Sequence, residues 1–336
     1  MVINYLEKEE YENFIRKLKP ISFLQNFLWG EVEKKLKREV LRLGFFINNE
    51  IIGICQLIGY KAKRGNFLAL PHGPLLKEKN ELIFINAISS LIDFLKKNQF
   101  NKKYNFLRAN FLIEDDEKLK EKLFKLGWKL SPRWFVSENF WIKNLEKDEE
   151  ELLNEMSKHH RELILESLEK DYIEIEETND LEKIKIFLDL YHKMAENKKF
   201  LPYSDDLIKN EFEIFSKENK AILFLGKTEN KYYSAAIVIF ENGMSYYHHG
   251  ASIPTKEPIN YKMHWYIIKK SKELKNSKYN FWGITLKGEK HPWYGLTKFK
   301  QGFGGEIVKL MPTMDYVLNY KYYFTYLYEK IFSKNK

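Results

Sequence analysis

The stretch Tyr279–Gly305, YNFWGITLKGEKHPWYGLTKFKQGFGG, governs the reading of this chain of 336 residues. A strand-like end, Phe281-Trp282-Gly283-Ile284, empties into a loop holding His291, Pro292, Trp293, glycines and lysines. The loop closes on Phe299-Lys300 and the pair Gly304-Gly305. Large aromatic rings in a glycine-punctuated loop are costly to leave in water, so they pack or cover a ligand.

Moving away from this stretch, the strand YNFWGI ends a pattern that runs through the second half. Helical periodicity over 182–196 and 204–218 precedes strands AILFLGK, YYSAAIVIF and MSYYHHGAS, then a helix over 258–275. The first half has the same order. Helices at about 9–18 and 26–38 lead into strands LRLGFFIN, IIGICQLIGY and FLALP, a helix over 80–98, strand YNFLRAN, helix 116–126 and strand RWFVSENFWI. Asn48-Asn49-Glu50 reads as a hairpin turn, because Asn accepts the positive φ such a turn requires. Alternating helix and strand patterns exclude all-α and all-β folds and imply an α/β (α+β) protein built from two copies of one unit. The expected domains are residues 1–148 and 149–317, joined through one charged helix at Glu150–Lys170 and sharing an interface with a cleft. The terminal segment 318–336 reads as a helix with aromatics on nearly every side, either packing back on the first domain or forming an interfacial patch.

The composition, 44% hydrophobic with 16% aromatic residues, is that of a folded globular chain. No apolar run reaches the ~18 residues of a membrane span, and the acidic start MVINYLEKEEYENF is unlike a signal peptide. A cytoplasmic monomer is expected. Cys55, the single cysteine, lies in apolar IIGICQLIGY and reads as core, so neither a disulfide nor a thiolate metal site follows. The formal charge of +9 favours an anionic partner, and between Lys256 and Lys300 eleven lysines face three acids among aromatics.

Phe281-Trp282-Gly283, His291-Pro292-Trp293-Tyr294-Gly295 and Phe299-Lys300-Gln301-Gly302-Phe303-Gly304-Gly305 together resemble motifs of the Fem family of non-ribosomal aminoacyltransferases (FemABX), the peptidoglycan bridge-forming enzymes. Further matches are Ser22-Phe23-Leu24-Gln25 with Trp29-Gly30, Gly73-Pro74-Leu75, Met156 to Arg161, and Tyr246 to Ser252. The resemblance implies two tandem acetyltransferase-like (GNAT-like) domains. No charged helical pair long enough for the coiled-coil arm of glycine-bridge extenders is present, so the compact FemX type is closer.

The implied activity moves an amino acid from aminoacyl-tRNA, a co-substrate, to the stem peptide of UDP-MurNAc-pentapeptide or lipid II, with no further cofactor and with peripheral membrane contact. When a stem-peptide amine attacks the aminoacyl ester, a tetrahedral oxyanion develops, and a lysine placed there stabilises the transition state more than the ground state. The motif assigns this role to Lys300, with Phe299 walling the site. Substrate contacts are implied for Trp29, Lys34, Arg108, Asn110, Lys198, Tyr247, His249, Trp282, His291 and Trp293. Several positions depart from the family pattern. Asn110 stands where a carboxylate base is one candidate and cannot accept a proton at neutral pH, which favours proton loss to water or to the tRNA ribose. Lys198 or Lys199 replaces a phosphate-binding arginine without its bidentate fork. His72 replaces an arginine, and Leu165 a basic residue.

Two other functions compete. An acyl-CoA-dependent N-acetyltransferase needs a glycine loop opening a helix, whereas Gln301 to Glu306 is followed by strand-like EIVKLMP. A non-catalytic RNA-binding protein would use the lysine and aromatic face. A metal is not expected at His248-His249 or His159-His160, because neighbours on a strand point to opposite faces and neighbours on a helix diverge by about 100°.

Overall fold

The computed structural model describes residues 1–19, 21–63 and 65–332. It divides into two compact units, Met1–Glu138 with Lys309–Lys336, and Asn139–Val308.

In the first unit, hairpin strands Glu39–Ile47 and Glu50–Tyr60 meet at Asn48 and Asn49, whose φ angles are 49° and 65°. Phe67–Pro71 continues the antiparallel meander. The next neighbour, Phe106–Asn110, is parallel to it. A parallel neighbour demands a crossover, supplied by helix Glu81–Lys97. Asn80 caps that helix by accepting from the Ile83 N–H, and Phe84, Ala87, Ile88, Leu91, Ile92 and Leu95 line its buried face. Each large apolar side chain buried this way contributes roughly 1.5–3 kcal/mol.

The second unit repeats the plan. Ala221–Thr228, Lys231–Glu241 and Met244–Ser252 form the meander, Ile259–Glu273 crosses over, and Lys278–Gly283 pairs parallel to Met244–Ser252. Among the described residues the longest helix is Glu81–Lys97, so the fold carries no long helical arm.

Both sheets are completed by strands distant in sequence. Met314–Val317 lies between Phe106–Asn110 and Trp128–Leu130 in the first sheet. Asn139–Asn144 lies between Lys278–Gly283 and Glu306–Lys309 in the second. The chain therefore changes unit at Glu138/Asn139 and Val308/Lys309, rather than at 148/149 and 317/318.

The single helix expected over 150–170 is two, Glu149–Asn154 and Lys158–Leu168, because Met156 is buried between them and Ser157 starts the second by accepting the His160 N–H. The last helix, Tyr322–Phe332, packs Tyr322 and Thr325 into the first unit, and Glu329 pairs with Arg108. No helix among the described residues is long and apolar enough to cross a membrane.

Candidate active site

The loop expected after Gly283 contains a helix, Tyr294–Gln301, which turns Thr297 and Lys300 inward one turn apart. Thr297 Oγ1 accepts the Thr285 N–H at 3.0 Å, fixing the helix to the strand that precedes it. The Lys300 side chain is buried, 5% exposed, and its Nζ donates to the Gly283 carbonyl at 2.7 Å. An ammonium has three N–H bonds, and among the described residues this carbonyl is the acceptor that meets them. Burial pushes the group down to about 7.

The carbonyl is delivered by a distorted strand end. Pairing between Lys278–Gly283 and Asn139–Asn144 slips between Asn280 and Gly283, and Trp282 sits at φ 66° with its N–H held by Asn280 Oδ1 at 2.7 Å. A tryptophan in the left-handed region costs on the order of 1–3 kcal/mol, and such strain concentrates at functional sites. The Trp282 ring makes edge contacts with Phe140, Tyr246 and His248.

Phe299 stands on the other side of the helix in a nest of His160, Tyr261, His264 and Phe303, with ring centroids 5.1–5.6 Å away. His160 is fixed at both nitrogens, Nδ1 against Ser157 Oγ at 2.9 Å and Nε2 against the Phe299 carbonyl at 2.9 Å. Its ring lies where a Cβ on Gly302 would be, which is why that position is glycine. His264, which also stacks on Tyr247 at 4.5 Å, is pushed down to about 3 by burial, with Lys300 and His160 adding repulsion. A neutral imidazole therefore faces the amine. The glycine pair anchors the segment beyond: Gly304 and Gly305 have φ of 75° and 104°, and Trp141 Nε1 donates to the Gly304 carbonyl at 2.8 Å.

Of the residues expected in the second unit, Lys300, Phe299, Trp282, Tyr247 and His249 fall in one connected neighbourhood. His249 reaches it through Glu211, whose carboxylate also meets His248, the neighbour of Trp282. His291 and Trp293 instead form the turn that opens the helix, with the Trp293 N–H donating to His291 Nδ1 at 3.1 Å. Lys198 is an exposed residue at the end of helix Ile184–Lys198.

The candidates in the first unit are spread over separate environments. Trp29 is buried against Phe23, and Lys34 is exposed and pairs with Glu31. Arg108, expected to touch substrate, gives its guanidinium to Asp315 at 2.8 and 2.9 Å and to Glu329 at 2.7 Å, at the edge of a cavity of about 310 Å³ that Arg133 and Trp134 also line. Asn110 donates to Thr313 Oγ1 at 2.7 Å, and Thr313 in turn donates to Glu138. His160, Tyr261, His264 and Glu211 were not anticipated as site residues. Only His160 had a signal, its place in the Met156 to Arg161 match.

His248 and His249 do not face opposite ways, as strand alternation would have them do. His249 registers with Ile237 and Tyr247 with Val238, so His248 is the extra residue of a β-bulge. A bulge breaks the alternation, and both rings turn to one side with centroids 4.2 Å apart.

Comparison with known proteins agrees with this architecture. The lipid II:glycine glycyltransferase of Staphylococcus aureus (strain MRSA252) is 21% identical, with 95% of this chain and 93% of that protein covered. The crystal structure of FemX superposes with a TM-score of 0.82 at 20% identity, covering 96% of this chain and 99% of that one. A tandem GNAT protein from the clavulanic acid biosynthesis pathway gives a TM-score of 0.55 at 9% identity, covering 95% and 98%. The fold is thus the tandem GNAT-like arrangement that the motifs implied. A model of the FemAB family matches residues 6–244 and 234–330, and the chain belongs to that family.

Proposed function

We propose that the protein transfers an amino acid from aminoacyl-tRNA to the stem peptide of a peptidoglycan precursor. The observation that carries this reading is the buried Lys300 amine, held by one backbone carbonyl, brought down to about 7 by burial and coupled to the buried His264 imidazole. Relatives named as lipid II:glycine glycyltransferases support the reaction class.

In the reaction the acceptor amine forms a C–N bond to the ester carbonyl, the oxygen becomes anionic, and collapse breaks the C–O bond to the tRNA ribose. The proton lost by the amine ends on that ribose oxygen, directly or through water. An ammonium with N–H bonds not taken by carboxylates stabilises the oxyanion in a medium where water does not compete, which strengthens the effect. Asn110 is in no position to act as base, since its amide donates to Thr313. The acyl-CoA alternative lacks its helix N-terminus here, because the chain leaves a helix at Gln301 and enters strand Glu306–Lys309.

The acceptor is proposed to be lipid-linked and the contact with the membrane peripheral. Phe324, Leu327 and Ile331 on the last helix, and Tyr320 in the turn just before it, are 58–72% exposed, with Lys321 and Lys330 also exposed. Apolar rings beside lysines suit an anionic lipid surface. Incubation with charged tRNAs and either UDP-MurNAc-pentapeptide or lipid II, followed by mass spectrometry, tests the proposal. One added residue on the precursor is expected, and no mass shift with either acceptor and any charged tRNA overturns it.

A further inference from the structure

We propose that Glu211, His248 and His249 form a binding site for a divalent first-row transition-metal ion, zinc being the best match to the donor set. Helix Asp205–Lys217 buries the Glu211 carboxylate completely. Its Oε1 lies 2.8 Å from His248 Nδ1 and its Oε2 3.1 Å from His249 Nε2. One donor atom from each of the three residues can be chosen so that all lie within 4.8 Å of one another. Tetrahedral ligands at about 2.0–2.2 Å from zinc are roughly 3.4 Å apart, so small side-chain rotations around a shared centre complete the site.

Two features favour a cation over a hydrogen-bonded cluster that merely fills space. The first is charge. A buried carboxylate is costly unless a positive partner compensates it, and among the described residues Glu211 meets imidazoles only, with no lysine or arginine against it. The second is construction. The strand spends a bulge to bring adjacent imidazoles to one side, and Phe187, Tyr203 and Trp282 surround them with rings. Two imidazoles and one carboxylate leave an open coordination position, the pattern of a catalytic rather than a purely structural zinc site. With the single cysteine buried in the other unit, no thiolate enters the set.

The test uses the full chain, stripped with chelator and desalted, and titrated with Co²⁺. Visible d–d absorption saturating at one ion per chain and displaced by Zn²⁺ is expected. Glu211→Gln and His249→Asn are expected to weaken binding by about 100-fold or more, and His159→Asn, at an exposed position, to leave it unchanged. Absence of the absorption in the wild-type protein overturns the proposal without reference to any variant. Binding that persists in both ligand variants, shown folded by circular dichroism, overturns it as well. None of these readouts involves amino-acid transfer, so failure of this site and failure of the proposed reaction are separately visible.

Discussion

Replacing Lys300 by Met should make the protein more stable and inactive. The amine is buried with one carbonyl for company, and its affinity for a proton falls from 10.5 in the unfolded chain to about 7 in the folded one. Between those values the unfolded state binds nearly one proton more, so stability rises with pH by up to about 1.4 kcal/mol per unit. From pH 7 to pH 9 Lys300 alone adds about 2 kcal/mol, and below pH 7 its contribution is flat at its least favourable value. Met fills a similar volume without the charge. At pH 7 it removes a penalty on the order of 4 kcal/mol but strands the Gly283 carbonyl, which costs about 1–3 kcal/mol. The net expectation is a gain of about 1–3 kcal/mol. Urea unfolding of wild type and Lys300→Met at pH 7, 8 and 9 measures it, and the difference between the two proteins cancels every other titrating group. The gap should narrow as pH rises while transfer stays undetectable in the variant at each pH. A gap that does not change with pH would mean the amine is solvated in the native state, and the reasoning about Lys300 would be wrong.

Three further outcomes are expected. Gly302→Ala drives a Cβ into the His160 ring, so it should lower stability by about 1–3 kcal/mol in chemical denaturation; an unchanged midpoint would show that the ring is free to leave. Asp315→Asn breaks the buried bidentate pair with Arg108 and should cost about 3–5 kcal/mol, whereas a loss of transfer without loss of stability would assign Arg108 to substrate instead. Phe324→Ser with Leu327→Ser changes exposed positions only, so thermal unfolding should hold while co-sedimentation with phosphatidylglycerol vesicles drops several-fold; equal sedimentation would remove the lipid-facing role from this helix.

Much of the fold was legible because its signals are local. Asn48 and Asn49 set a hairpin by their own φ preferences, and the apolar spacing of Phe84 to Leu95 marks a helix face without reference to anything else. What escaped depends on partners far away in the chain. Nothing in 139–144 or 314–317 announces that each strand pairs inside the other half's sheet, because pairing choice lies in tertiary packing rather than in period. The helix Tyr294–Gln301 was hidden by its glycine and by a Trp293 start lacking a side-chain cap. The motif lysine was readable, but the carbonyl that holds it was not, since Gly283 reaches Lys300 through a strand slip at Trp282. The bulge at His248 was invisible for the same reason: alternation is the rule that a single inserted residue suspends.

The repeated topology supplies a control for the site within the same molecule. After the parallel strand Phe106–Asn110 the first unit places helix Glu117–Lys125, as the second places Tyr294–Gln301 after Lys278–Gly283, and each helix turns a lysine inward. Lys120 meets the carboxylates of Asp115 and Glu117, and those hydrogen bonds raise its pKa. Lys300 meets a neutral carbonyl, and burial lowers it to about 7. A lysine neutralised by two acids is committed to structure, because any new anion must displace a carboxylate. A lysine given only a carbonyl keeps most of its field for an anion that forms later. If selection acted on stability alone, the second helix would also carry acids beside its lysine, as Glu117 stands beside Lys120 in the first.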